Sequence, residues 1–298
     1  MKATKILIAI DEPTLAKHII ESTFSIINKE KAEISLIKIT HLSIADEEIY
    51  NTAPELYIEH ECKQGNIKEL ENYIINEGYK YKELITKEGN AADEIIKTVN
   101  SGNYDLIVVG SHNKGNLERF LLGSVSQKVS LHSKASVLIV KNLNIEKKLT
   151  ANKEFKVLFA VDNSEFHNKM IEKITDILDL KRARFSVINV TPDIYSTIPA
   201  DAFIYSDIER IKDAIDNAAK ETINKVALNL MKRHANIDKK YHIEGDAAET
   251  IIEEAKKENV DLTVVGSRGK TAFSGWLLGS VSSKTSAYSD KTILILKK

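Results

Sequence analysis

Residues 264–282 read VVGSRGKTAFSGWLLGSVS, and residues 108–126 read VVGSHNKGNLERFLLGSVS. Carried back to the Asp-Leu before each, the two stretches agree at 13 of 22 positions without a gap, at an offset of 156 residues. A match of that quality marks an internal repeat. Three further matches extend it over the whole chain. Residues 6–11, ILIAID, match 157–162, VLFAVD, and 34–40, ISLIKIT, match 185–191, FSVINVT, both at an offset of 151. Residues 88–96, EGNAADEII, match 244–252, EGDAAETII, again at 156. The second copy therefore gains a short insertion in the region matching about 41–80. The expected division is a first domain over 1–143, a polar linker over 144–153 and a second domain over 154–298, each of ordinary domain size.

In each copy the apolar runs are continuous and rich in Ile, Val and Leu, and helical patterns separate them. That is the pattern of parallel strands covered on both faces. Strands are predicted near 5–10, 33–40, 81–86, 105–109 and 136–141, and near 156–161, 184–190, 240–243, 261–265 and 292–297. The fold class is α/β, as two tandem doubly wound, five-stranded parallel-sheet domains. Within 205–234, apolar residues at 208, 211, 215, 219, 223, 226 and 230 draw one stripe along a long helix. In such sheets a ligand sits beyond the carboxyl ends of the strands where strand order reverses. Asp11 and Asp162 follow the first strand of each copy, and the glycine-serine loops follow the fourth.

Composition narrows the function. With 42 basic and 43 acidic residues the net charge is −1, which leaves no electrostatic footprint for nucleic acid or an anionic membrane. No apolar run approaches the roughly 18 residues of a membrane span. The start, MKATKILIAID, places lysine before an apolar run, but that run ends at Asp11 and recurs inside the chain, so it reads as a first strand. The single cysteine, Cys62, excludes an intrachain disulfide and suits a reducing cytoplasm. The eight histidines show no metal-ligand spacing, and no nucleophile elbow is present.

The loops are not a Walker site. Around Gly269-Lys270-Thr271 the required first glycine falls on Val264. Around Gly110 and Gly115 the spacing is right, but Asn116-Leu117 replaces Lys-Ser/Thr. The second copy instead has Gly266-x-x-Gly269, nine residues, then Gly279-Ser280-Val281-Ser282. A helix beginning there presents unpaired N–H groups and a positive dipole end to an anion. Ser280 and Ser282, with Ser124 and Ser126 in the first copy, add hydroxyl donors. Gly266 and Gly269 let the backbone approach an anionic ligand without a Cβ in the way, and Arg268 adds charge. A plainer reading stands beside this one: Gly-Ser at a helix start is also an ordinary cap, and Asp162 is also suited to an Asx turn.

With these motifs the chain resembles the universal stress protein family in its tandem, two-domain form. The ATP-binding members of that family carry the G-2x-G-9x-G-(S/T) spacing. The resemblance covers essentially the whole chain twice, including the first-strand aspartate and the EG-[DN]-A-A segment. It implies a Rossmann-like fold of the adenine-nucleotide α-hydrolase type, with two domains paired about a pseudo-twofold axis through the strands 136–141 and 292–297. It also implies an adenine nucleotide, ATP or else ADP or AMP, with magnesium as a possible companion. The nucleotide would be held by Ala160, Asp162, Val190, Gly266, Arg268, Gly269, Gly279, Ser280, Val281 and Ser282. The main chain near Val190 would read the adenine edge, and Asp162 would lie near base or ribose.

A weaker second site is expected at Asp11, Ile39, Gly110, Asn113, Gly123, Ser124, Val125 and Ser126. There Asn113 replaces Gly269 and would crowd the ribose, His112 replaces Arg268, and Pro13 stands where the second copy has Ser164. Relatives by fold that activate carboxylates use an SGG-type loop after the first strand. DEPT and DNSE stand here instead, so that activity is not expected. Three readings remain open: a nucleotide-binding regulatory module, a slow magnesium-dependent ATPase, and a structural protein with vestigial sites. Association of two chains into a homodimer is left open as well.

Overall fold

The computed structural model describes residues 2–11, 13–40, 67–111, 122–141, 153–197, 205–267 and 278–297. The first repeat contains β1 (Thr4–Ile10), α1 (Pro13–Phe24), β2 (Ala32–Thr40), a helix whose described part is 67–76 (α2), β3 (Lys80–Glu88), α3 (Ala91–Ser101), β4 (Leu106–Gly110), α4 (Ser124–His132) and β5 (Ser136–Val140). The second contains β6 (Phe155–Ala160), α5 (Phe166–Ile177), β7 (Ala183–Thr191), the single turn α6 (Ile194–Thr197), α7 (Tyr205–Met231), β8 (Asn236–Glu244), α8 (Ala247–Lys257), β9 (Leu262–Gly266), α9 (Ser280–Tyr288) and β10 (Thr292–Leu296).

The strands form one sheet in the order β3-β2-β1-β4-β5-β10-β9-β6-β7-β8. Each repeat supplies five parallel strands, and the two halves meet where β5 and β10 run antiparallel, with Ile139 opposite Ile293, Leu138 opposite Leu294 and Val137 opposite Ile295. The product is a single ten-stranded sheet rather than two separate ones. The open edges of both terminal strands are thereby paired, and β5 is buried along its whole length. The outer edges fall to β3, KYKELITKE, and β8, NIDKKYHIE, whose charged and exposed residues discourage further strand pairing. Both are longer than the sequence pattern predicts. Each pairs along its length with the nine-residue strand beside it, β2 or β7, while its side chains are mostly exposed, so the apolar run is short although the backbone ladder is not.

β1 lies beside β4 through Ile6 opposite Leu106, and β6 lies beside β9 through Val157 opposite Leu262. The Asp of each repeated Asp-Leu pins that pairing: Lys5 N–H donates to Asp105 at 2.9 Å, and Lys156 N–H donates to Asp261 at 2.8 Å. Strand order reverses here in each half, so the residues after β6 and β9 become neighbours.

A second junction lies at the turns after α1 and α5. Ile27 and Leu178 form an antiparallel bridge. Asn28 N–H donates to Ile177 C=O at 2.8 Å, and Asp179 N–H donates to Ile26 C=O at 2.9 Å. The core crosses both junctions. One cluster joins Ile6, Ile8, Ile27 and Leu36 to Phe155, Phe159, Leu178 and Phe185. On the other face, Leu7, Ile107 and Val137 pack with Val265, Ile293 and Ile295. The long helix α7 packs on β7 and β8, and its stripe is buried in its later part, at Ala219, Ile223, Val226 and Leu230. Earlier along the stripe Ile211 is 42% exposed. Twenty-seven residues span about 40 Å, which is longer than the strands beneath.

Because core and sheet are continuous, the two repeats should unfold as one unit. Leu294→Ala, at the β5–β10 pairing, should cost roughly 3 kcal/mol and keep a single transition in urea monitored by far-UV circular dichroism. Two separated transitions in the unmodified protein would contradict a shared core.

Candidate functional site

The loop between β9 and α9 is anchored at both ends. Ser267, directly after β9, donates its N–H to Leu296 C=O at 2.8 Å, and its own C=O accepts the Gly279 N–H at 2.8 Å. Gly266 and Gly279 are thus held together across the sequence between them. Arg268, Gly269, Asn113 and His112 lie outside the described residues, as do Glu12 and Cys62.

Gly279 has φ −64° and ψ 156°, an extended conformation open to any residue. Glycine is therefore not required there by its backbone angles. What it supplies is the absence of a side chain in front of α9. No side-chain hydrogen bond caps that helix, so its first N–H groups face outward without a partner from the cap position. Gly123 repeats this at α4, with φ −63°, ψ 153° and no side-chain cap. Gly266 has a different role. A side chain there would meet Met170 at 3.2 Å and Phe166 at 3.4 Å, so its bareness accommodates α5. Gly110 likewise faces Ile19. The sequence motif places Gly266 among the glycines that approach a ligand, whereas in the fold its missing side chain faces α5.

The serines divide into two kinds. Ser280 and Ser124 are exposed. Ser282 is 1% exposed, and its hydroxyl donates to Gly279 C=O at 3.0 Å; Ser126 donates to Gly123 C=O at 2.9 Å. These inner hydroxyls shape the first turn instead of facing outward, because residue three of a helix folds back over its cap. Their backbone N–H groups still belong to the open end.

Asp162 lies two residues past β6, the strand that pairs with β9 ahead of α9. Its Oδ1 accepts the Ser164 N–H at 3.1 Å and the Ser164 hydroxyl, so the Asx turn is real. Its Oδ2 is buried and has no hydrogen-bond partner among the described residues. An unpaired carboxylate oxygen is costly, and it marks a place for a donor. The adjoining Asn163 accepts a hydrogen bond from Asn189 Nδ2 at 2.9 Å, and Asn189 is 2% exposed. The sequence reading missed this pair. Its only sequence signal is that Glu12-Pro13 and Lys38 replace Asn163-Ser164 and Asn189 in the first repeat. Proline has no N–H to orient the aspartate, and Asp11 is exposed.

Ala160, Val190 and Val281 line the rim of one apolar cluster with Leu158, Ile188 and Ile251 beneath. They form a half-buried ledge next to Asp162 and the α9 terminus. In the first repeat Ala9, Ile39 and Val125 are likewise half-buried against an apolar cluster. The EG-[DN]-A-A segment builds the neighbouring helix start. Gly245 takes φ +153° and Gly89 +127°, values reserved for glycine. Asp246 caps α8 by accepting the N–H groups of Ala248 and Glu249, each at 3.0 Å. Asn90 caps α3 through the Asp93 N–H at 3.2 Å. The Glu249 N–H, followed by the charge of Lys284 from α9, holds the Asp246 carboxyl below its ordinary value. Among the described residues no cluster of His, Cys, Asp or Glu is arranged to hold a metal, and no helix is long and apolar enough to cross a membrane.

A lowered carboxyl pKa stabilises the fold above the ordinary value near 4 and loses that contribution as pH falls through the folded value. Asp246→Ala should therefore cost about 1 kcal/mol at neutral pH. Its deficit against the unmodified protein should shrink below about pH 4 in thermal unfolding. Asp246→Asn, which preserves the cap, should retain most of the stability. A deficit that stays constant to pH 2 would contradict the charged cap.

Comparison with known proteins bears on this arrangement. The sequence model of the universal stress protein family matches twice, over residues 2–141 and 155–297. Universal stress protein MJ0577 of Methanocaldococcus jannaschii is 36% identical over 146 residues, covering 48% of this chain and 85% of that protein. Universal stress protein YxiE of Bacillus subtilis is 29% identical over 145 residues, covering 48% of this chain and 98% of that protein. The crystal structure of a universal stress protein from Archaeoglobus fulgidus superposes with a TM-score of 0.60 at 21% identity, over 100% of this chain and 97% of that one, and shares the fold.

Proposed function

The chain belongs to the universal stress protein family, and from that premise we propose that it is a nucleotide-binding regulatory protein whose second repeat holds an adenine nucleotide. The observation that carries this reading is the unpartnered Oδ2 of Asp162 at the end of β6, the strand paired with β9, whose loop leads into the uncapped start of α9. An anion completes the first, and a donor such as a ribose hydroxyl or base amine completes the second. The ledge of Ala160, Val190 and Val281 suits a purine face. The main chain at Val190 reads the adenine edge. The N–H groups of Ser280, Val281 and Ser282, with the Ser280 hydroxyl, take the terminal phosphates, and the sequence motif assigns Arg268 and Gly269 to the α-phosphate and ribose. ATP is the first candidate, ahead of ADP and AMP, because three phosphates best fill an open helix end and an adjoining loop. Magnesium would offset their charge.

The first repeat keeps Gly123-Ser124-Val125-Ser126 but lacks the Asn189–Asn163 support and carries Pro13. It is the weaker site, or one of different preference. The two units are 1–143 and 154–298, with 144–153 between them, and the reducing cytoplasm is the setting that a single cysteine suits.

Isothermal titration calorimetry of nucleotide-stripped protein with Mg-ATP tests the reading. The unmodified chain should bind close to one equivalent. Gly279→Val should abolish that binding, and Asp162→Ala should weaken it about tenfold. Two equivalents with only one lost in Gly279→Val would make the repeats equal. No binding at all would reduce the loop to a helix cap. Phosphate release in the same samples, lost in Asp162→Ala while binding persists, would shift the reading to a slow ATPase.

A further inference from the structure

Each repeat buries a lysine in the other. Lys141 follows β5, is 6% exposed, and donates from Nζ to Ala287 C=O, 3.4 Å away in the last turn of α9. Lys297 follows β10, is 8% exposed, and donates from Nζ to Ser130 C=O at 2.6 Å and toward Leu131 C=O at 3.5 Å, in the last turn of α4. The main chain repeats the exchange. Lys141 N–H donates to Thr292 Oγ1 at 3.3 Å, and Lys297 N–H donates to Ser136 Oγ at 3.4 Å. Both pairs follow the 156-residue offset of the repeat, so one contact is made twice around the sheet junction.

Burying an ammonium is unfavourable unless something specific receives it. For Lys141, burial dominates and draws its pKa down to about 8, while the carboxylate of Asp290, the charged group acting on it among the described residues, opposes that shift. The receivers are helix C-termini, which carry the negative end of the dipole. They are not arbitrary helices. α4 and α9 are the two whose N-termini open at the candidate loops. A nine-residue helix is about 13 Å long, so the lysine and a bound anion act on opposite ends of the same short rod, and both favour the same orientation.

We propose that Lys141 and Lys297 are positioning residues exchanged between the repeats, each holding the anion-facing helix of the opposite repeat. The proposal rests on the nucleotide reading above and deepens it: the second repeat's site depends on the last strand of the first. The two loops then respond to the integrity of the β5–β10 junction and not to their own repeat alone.

The test uses the full chain carrying Gly123→Val, which leaves the second repeat's loop as the site under study. Mg-ATP affinity is measured by calorimetry between about pH 7 and 9.5, with Lys141 intact, as Lys141→Met and as Lys141→Arg. With Lys141 intact, affinity should fall roughly fivefold as pH rises through about 8. Lys141→Met should show that loss already at pH 7 and no further pH dependence, and Lys141→Arg should stay tight and flat. A packing role alone would not give this pH profile or its rescue by arginine. If Lys141→Met fails to fold, the profiles of the intact lysine and Lys141→Arg decide. Equal affinity with and without the lysine, or a flat profile with Lys141 intact, overturns the proposal. Failure of the chain to bind Mg-ATP in any form, Gly123 intact included, overturns the nucleotide reading beneath it and is recognisable as such.

Discussion

Ile139 opposite Ile293, flanked by Leu138–Leu294 and Val137–Ile295, is the ladder on which the rest of the molecule depends. A doubly wound unit of five parallel strands ends on an apolar edge at its fifth strand, and an open apolar edge invites association. Repeating the unit within one chain lets two such edges close on each other. Parallel order within each half and antiparallel order at the join follow from a twofold relation between the halves. The edges that remain, β3 and β8, are those whose sequences carry lysine and glutamate. The bridge at Ile27 and Leu178 adds a second seam, and clusters on both sheet faces run across the join without a break.

The same symmetry sets the two loops in equivalent places and makes their differences informative. Both helices behind the loops start on glycine with extended backbone and no side-chain cap. That is an incomplete arrangement for a helix, and it occurs twice. Among the described residues the second repeat adds an aspartate oriented by Ser164, with the buried Asn189–Asn163 pair adjoining it. The first repeat's Asp11 is exposed, and Pro13 cannot donate where Ser164 does. A repeated scaffold thus presents one elaborated site and one reduced site, joined through a common sheet.

The repeat, the strands and the position of the loops were legible in the sequence because each rests on a local signal: a fixed offset, apolar runs, and Gly-Ser spacing. The parts that were not legible depend on direction. Nothing in the string distinguishes a glycine bare toward a ligand from one bare toward Met170 and Phe166, as at Gly266. Ser280 and Ser282 look alike until the helix turns one outward and folds the other onto Gly279. The stripe on α7 predicts a buried face along its length, but the strands beneath are shorter than the helix, so Ile211 is left out. Lys141 and Lys297 read as ordinary charged ends of strands, and only the pairing of β5 with β10 carries each into the opposite repeat. The Asn163–Asn189 contact spans 26 residues between two strand ends, and only the parallel pairing of β6 with β7 brings them together.

The central claim is that the open start of α9, and not that of α4, is the working nucleotide end of the molecule. Hydrogen exchange of the backbone amides, followed by mass spectrometry with and without Mg-ATP, addresses it most directly. Slowed exchange across Ser280–Ser282 and at Ser164, with residues 124–126 unchanged, is the result this structure predicts. Unchanged exchange at Ser280–Ser282, or protection confined to 124–126, would contradict it.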